Sequence, residues 1–127
     1  MEKDVMYWLN LSGYDIKTAD AMFNSRRYLY VLFTCQQAAE KMLKALVTKN
    51  TKQFPPKTHD LLRLADLSRV DIDETRKEFL AKLSYYYIET RYPEEVVKIS
   101  KDINRKTAFE YLNNTKAILK WLKPKLK

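Results

Sequence analysis

The chain has 127 residues, about the size of one domain, and its 46% hydrophobic and 31% charged residues are typical of a globular protein. A single glycine and four prolines argue against a fold rich in tight β-turns, because such turns need glycine at left-handed positions. One histidine and one cysteine are too few for a common zinc site, so we expect neither a metal nor a cofactor. The composition therefore predicts one all-α domain over residues 1–127.

The lone cysteine and the N-terminal sequence indicate where in the cell the protein is located. Cys35 has no partner for an intrachain disulfide and lies among apolar residues, which fits a reducing environment. The N-terminus lacks the pattern of a signal peptide, and no apolar stretch approaches the ~20 residues that span a bilayer. We expect a soluble cytoplasmic protein that does not associate with a membrane.

The net charge of +8 is concentrated in two runs. Residues 41–57 and residues 116–127 each contain five lysines and no acidic residue. Localised positive charge attracts phosphate backbones or an acidic protein. The alternative is a lysine-rich surface that serves solubility alone.

Apolar residues at helical spacing predict a first helix from Val5 to about Arg26 and a second from about Tyr28 to Lys49. The following segment, NTKQFPPKT, contains two prolines and predicts a loop. A short third helix is expected to begin after an N-cap at Thr58.

A fourth helix is expected from about Glu74, after an N-cap at Asp71 or Asp73, and it should stop or kink near Arg91 because Pro93 follows. Its apolar stripe would include Tyr86 and Tyr87 (the segment 93–102, PEEVVKISKD, is expected to be irregular). A last helix, capped by Ser100 or Asp102, should end at Pro124. Short connections predict an up-and-down bundle of four long helices plus the short third helix.

The second helix carries a polar stripe. In the string QQAAEKMLKA, the side chains of Gln37, Glu40, Lys41 and Lys44 fall on one side of the helix, beside the apolar face. Such a stripe can line a binding groove. The alternative is a solvated face with an ion pair between Glu40 and Lys44.

Two further positions are candidates for chemistry. His59 follows the predicted cap, where its imidazole can donate to a backbone carbonyl or to a carboxylate. Arg91 and Tyr92 place a guanidinium beside an aromatic ring, a pair that suits a phosphate or a stacked base. The alternative is that Arg91 pairs with a nearby glutamate while the tyrosines pack in the core.

The ordered set of QQAAEK, THDL and RYP, between an N-terminal helix with Trp8 and Asp15 and a last amphipathic helix, resembles the HEPN family. The resemblance implies a helical bundle, usually dimeric and often encoded beside a minimal nucleotidyltransferase in a toxin–antitoxin-like pair. Many members are metal-independent ribonucleases whose signature is an arginine followed within a few residues by a histidine.

Here Arg91 is followed by YPEEVVK, without a histidine, and the single His59 precedes it. The resemblance therefore implies a module that binds a nucleotide or RNA and partners a nucleotidyltransferase, with Glu40, Lys41, Lys44, Arg91 and Tyr92 as ligand-binding candidates. The alternative is an endoribonuclease toxin that uses Arg91 and His59, the only catalytic candidates, brought together in space. A third possibility is an interaction module without a small ligand. We also expect a homodimer of about 30 kDa, twice the chain mass of 15.2 kDa.

Overall fold

A computed structural model describes residues 2–127, which form six α-helices and two short 3-10 helices. This confirms the predicted all-α bundle. The α-helices are α1 (Lys3–Asn24), α2 (Tyr28–Thr51), α3 (Leu61–Leu67), α4 (Glu74–Ser84), α5 (Pro93–Asp102) and α6 (Arg105–Leu122); the 3-10 helices span Ile88–Thr90 and Lys123–Leu126.

Helix α2 is the centre of the bundle, with an almost continuous buried stretch between Leu29 and Thr48. It packs against α1 and α6 along much of its length and against α3 and α4 on another side. The connection from α1 to α2 is only three residues long, so the two helices run antiparallel. Arg26 makes this tight turn in the left-handed conformation, with φ 63°.

Helix α4 ends at Ser84, whereas the sequence predicted a helix that continued to about Arg91. Beyond Ser84 the chain turns and forms the 3-10 helix Ile88–Thr90. In this segment Tyr86 packs against Tyr111 of α6, and Tyr87 packs against Phe33 of α2.

The segment 93–102, predicted to be irregular, is helix α5. Pro93 begins this helix instead of ending the one before it. A proline is well suited to the first helical position, where a backbone N–H has no partner within the helix. Glu94 and Glu95 in the first turn add a favourable interaction with the helix dipole.

The helix caps differ in part from those predicted. Asp60, not Thr58, caps α3, and its carboxylate accepts from the backbone N–H groups two and three residues later. Of the two candidates for α4, Asp73 is the cap. Asn104 caps α6, in place of the residues expected further upstream. Within residues 2–127, no helix combines the length and the apolar character that a bilayer crossing requires.

Candidate functional site

Within the polar stripe on α2, Glu40 and Lys44 are buried, whereas Gln37 and Lys41 are partly exposed. Glu40 lies at the centre, with its side chain 2% exposed, and its Oε2 is 3.1 Å from Nζ of Lys44, whose side chain is 8% exposed. Gln36, one helical turn before Glu40, donates from Nε2 to Glu40 Oε1 at 3.3 Å. The predicted ion pair is therefore present, but the solvated face expected as an alternative is wrong.

His59 joins this cluster from the loop before α3. Its Nδ1 lies 2.8 Å from Glu40 Oε1, so of the two kinds of partner that the sequence allowed, a backbone carbonyl or a carboxylate, it pairs with a carboxylate. Its ring stacks on Tyr87, with 3.7 Å between centroids and an interplanar angle of 13°. The backbone carbonyl of His59 accepts from Gln36 at 3.0 Å and from Ser84 at 3.3 Å. The imidazole is thus fixed on one face and at one nitrogen, although 41% of its side chain is exposed.

This arrangement satisfies a buried carboxylate with three donors. Gln36, Lys44 and His59 all converge on Glu40, so the cost of removing its charge from water is offset by hydrogen bonds. An imidazole that is oriented by a carboxylate and is partly exposed can transfer a proton. Among residues 2–127, no group of three or more His, Cys, Asp or Glu side chains is placed to hold a metal.

Trp8 of α1 covers the other end of the cluster. Nζ of Lys44 is 5.3 Å from the centroid of the Trp8 ring, and Phe54 of the proline-containing loop meets the same ring edge-on at 5.9 Å. A cavity of about 440 Å³ lies between Trp8, Lys44, Phe54 and the loop prolines. The loop and α1 therefore bury the Lys44 end of the stripe together.

Lys41 lies in a separate setting. Its Nζ is 2.7 Å from Oδ2 of Asp15 on α1 and 3.2 Å from Oε1 of Gln37. Both members of the ion pair are less than one fifth exposed. Lys41 links α1 to α2 and does not contact the carboxylate of Glu40.

Arg91 and Tyr92 form a third setting, after the 3-10 helix. The guanidinium carbon of Arg91 lies 3.9 Å from the centroid of the Tyr85 ring. Nε of Arg91 is buried without a hydrogen-bond partner within residues 2–127, and the ion pairs with Glu89, Glu94 or Glu95 that the sequence also allowed do not form there. We call Tyr85, Arg91 and Tyr92 the arginine–tyrosine surface; its two rings are 54% and 71% exposed.

Tyr87 lies between Tyr85 and Arg91 in the sequence and contacts the Glu40 cluster through His59. Its ring carries His59 on one face, and its hydroxyl donates to Glu89 at 2.8 Å. Burial, together with the hydrogen bond to the Glu89 carboxylate, raises the pKa of Tyr87 to about 12. Tyr87 therefore remains a neutral hydrogen-bond donor at physiological pH and holds the segment that follows α4.

The first basic run is largely neutralised within the fold. Lys41 and Lys44 are paired with carboxylates, as described, and Lys52 pairs with Glu2 at 3.1 Å. Lys49 donates to the backbone carbonyls of residues 125 and 127. Most of the charge in residues 41–57 is therefore engaged in contacts inside the protein.

Two members of the site were not among the candidates. Gln36 could have been found, because residues 36, 40 and 44 follow a spacing of four and share one helical face. Tyr87 gave no such signal, since its contact with His59 depends on how the chain turns after α4. The five ligand-binding candidates thus lie in three settings: Glu40 with Lys44, Lys41 by itself, and Arg91 with Tyr92.

The sequence model of the HEPN domain family matches residues 5–125. The chain belongs to the HEPN family. The crystal structure of TT1696 from Thermus thermophilus is similar, with a TM-score of 0.81 and 29% identity over 98% of this chain and 99% of that chain. ST0689, an archaeal HEPN homologue, has a TM-score of 0.79 and 20% identity over the full length of both chains, and at that identity it shows the fold alone. A comparison with curated proteins found no match.

Proposed function

We propose that this HEPN protein binds a nucleotide or single-stranded RNA at the arginine–tyrosine surface. The observation that carries the proposal is the Arg91 guanidinium, stacked on Tyr85 and free of any acidic partner within residues 2–127. Apart from the buried Nε, this guanidinium keeps its N–H donors for a phosphate, and the exposed rings of Tyr85 and Tyr92 offer faces on which bases stack.

His59 stacks on Tyr87, which lies between Tyr85 and Arg91 in the sequence. Its imidazole is partly exposed and is held by Glu40 and Tyr87, so it adds a hydrogen-bonding group of fixed orientation. Family membership supports the same conclusion, because HEPN domains are modules associated with nucleotides and RNA. Lys41 and Lys44 of α2 are paired with carboxylates, so we do not assign them as phosphate contacts.

The proposal is tested by fluorescence anisotropy with a labelled RNA of about ten nucleotides, within the usual site sizes for single strands. Arg91→Gln should weaken binding by about tenfold or more, as expected when one charge-assisted phosphate contact is lost. The matched control is Arg76→Gln, because that guanidinium stacks on Trp121 at 4.0 Å but lies at the opposite end of α4. Binding should also fall steeply with salt. Equal affinities of Arg91→Gln and wild type would contradict the proposal.

The biological setting proposed for this module is a toxin–antitoxin-like pair, in which a HEPN homodimer binds a minimal nucleotidyltransferase. Support comes from family membership. The decisive observation is the neighbouring reading frame: a short protein with a Gly-Ser pair followed by Asp-x-Asp carboxylates for a catalytic metal should copurify with this chain. A neighbour without that pattern would remove this part of the proposal.

One observation favours a second function, a metal-independent endoribonuclease. The pairing of His59 with Glu40 gives an oriented imidazole, the group that acid–base cleavage of RNA requires near neutral pH. Against it, the histidine does not follow Arg91 in sequence as in the ribonuclease signature. We expect that any trace cleavage in EDTA is the same for wild type, His59→Ala and Arg91→Ala. Cleavage abolished by both substitutions would establish the second function instead.

A further inference from the structure

A groove runs between α1 and α6 and has α2 as its floor. Its volume is about 740 Å³, the largest among the cavities described here. The walls and floor are mainly apolar, and several of these side chains are partly exposed. Met6, Leu9 and Ile16 are at least partly exposed, and the buried side chains of Met42 and Leu119 lie beneath them.

The rim of the groove carries charge of one sign. Lys17, Lys120 and Lys123 line it, and the lining contains no aspartate or glutamate. None of these three lysines takes part in an ion pair within residues 2–127. An apolar surface edged by unpaired cations is complementary to an apolar surface edged by carboxylates.

Gly13 supplies a second, independent observation. It is the chain's single glycine, and it lies within helix α1 and lines the groove. Glycine lowers the stability of a helix interior relative to alanine. Nothing in the fold requires it, because a Cβ added at Gly13 would meet no atom within 4 Å and its φ is not left-handed. The missing side chain leaves bare backbone where a partner can approach closely.

We propose that this groove receives an amphipathic helix of another protein, with its apolar face in the groove and acidic residues along its edges. A helix in an apolar groove is a common mode of recognition, and small residues allow two helices to approach closely. A second copy of this chain fits poorly, because a twofold axis at the groove would bring the two lysine rims together. The groove shares no lining residue with the arginine–tyrosine surface, so this docking role goes beyond RNA binding.

The test uses Gly13→Leu, which places a side chain in the groove at a position where an added Cβ meets no atom within 4 Å. Thermal unfolding should show an unchanged or higher Tm, because leucine is the better helix former. The probe is a synthetic helical peptide with leucines on one face and glutamates at its edges, titrated into isotope-labelled protein by NMR. In wild type, the peptide should shift amides of α1 and α6, and in Gly13→Leu its affinity should fall at least tenfold.

Three controls separate the effect of the space in the groove from the effect of the charges at its rim. Gly13→Ala should retain most of the affinity, since a methyl group occupies little of the groove. A peptide with lysines in place of the glutamates should not bind, and the double variant Lys17→Glu, Lys120→Glu should bind the glutamate peptide more weakly.

Several results would overturn the proposal. They are no shifts at millimolar peptide, equal binding of both peptides, or binding that Gly13→Leu leaves unchanged. A further one is a wild-type dimer that Gly13→Leu converts to a monomer, since a second copy would then be the occupant.

Discussion

Removal of the charge on Glu40 tests the buried cluster on α2 most directly. In Glu40→Gln the side chain keeps its shape, but the ammonium of Lys44 remains 8% exposed and has lost its anionic partner. Removal of one partner from a buried ion pair costs about 3–5 kcal/mol, mainly because the remaining charge is uncompensated. Typical domains have a free energy of unfolding of roughly 5–15 kcal/mol, so this loss is a large part of the total.

Urea unfolding measures the effect. With an m-value of about 2 kcal/mol/M, a typical value for a small domain, the midpoint should fall by roughly 2 M. The matched control is Glu2→Gln, which breaks the pair with Lys52 at the surface, where the side chains are 60% and 68% exposed. That control should cost about 0–1 kcal/mol, because water and salt screen an exposed pair.

The double variant Glu40→Gln, Lys44→Met separates the loss of the ion pair from the cost of leaving a buried ammonium without a partner. Once the lysine is replaced by an apolar side chain, no uncompensated ammonium remains, so the double variant should be more stable than Glu40→Gln alone. A midpoint for Glu40→Gln that lies within the range of the Glu2→Gln control would refute the reasoning. It would mean that water reaches Lys44 and Glu40.

Two further predictions follow from single residues. Burial raises the pKa of the Cys35 thiol from 9.0 to about 12. Between these two pH values the thiol loses its proton only in the unfolded chain. The free energy of unfolding should therefore fall as pH rises above about 9. The urea midpoint of the wild type should therefore decline from pH 8 to pH 10, and that of Cys35→Ala should decline less. An equal decline in both proteins would show that the thiol is accessible. At the start of α3, Asp60→Ala should cost about 1 kcal/mol, because two backbone N–H groups lose their acceptor. Thr58→Ala should cost clearly less by the same measurement, and the reverse order would show that Thr58 is the cap.

The helical architecture was predictable because it depends on local properties of the chain. Apolar spacing along α1, α2 and α6, one glycine in the whole chain and the prolines after α2 identified the bundle and its main loop. The ordered set of QQAAEK, THDL and RYP resembled the HEPN family, and the family match over residues 5–125 confirms that the chain belongs to it.

Local patterns were less reliable where two structures suit the same residues. Pro93 is compatible with the end of one helix and with the beginning of another, and α5 shows that it begins one. The run Tyr85–Tyr87 is also compatible with a continued helix. In the structure the helix ends at Ser84, and Tyr86 and Tyr87 pack against α6 and α2 from the segment that follows.

The sequence by itself determined α1, α2 and α6 and the loop after α2, and it placed Glu40 and Lys44 one turn apart. Only the tertiary structure decided that this pair is buried, because burial depends on the segments that cover it. Trp8 on α1 and the loop to His59 are distant in sequence but meet at α2. The same long-range packing decides that His59 pairs with a carboxylate and that Arg91 does not.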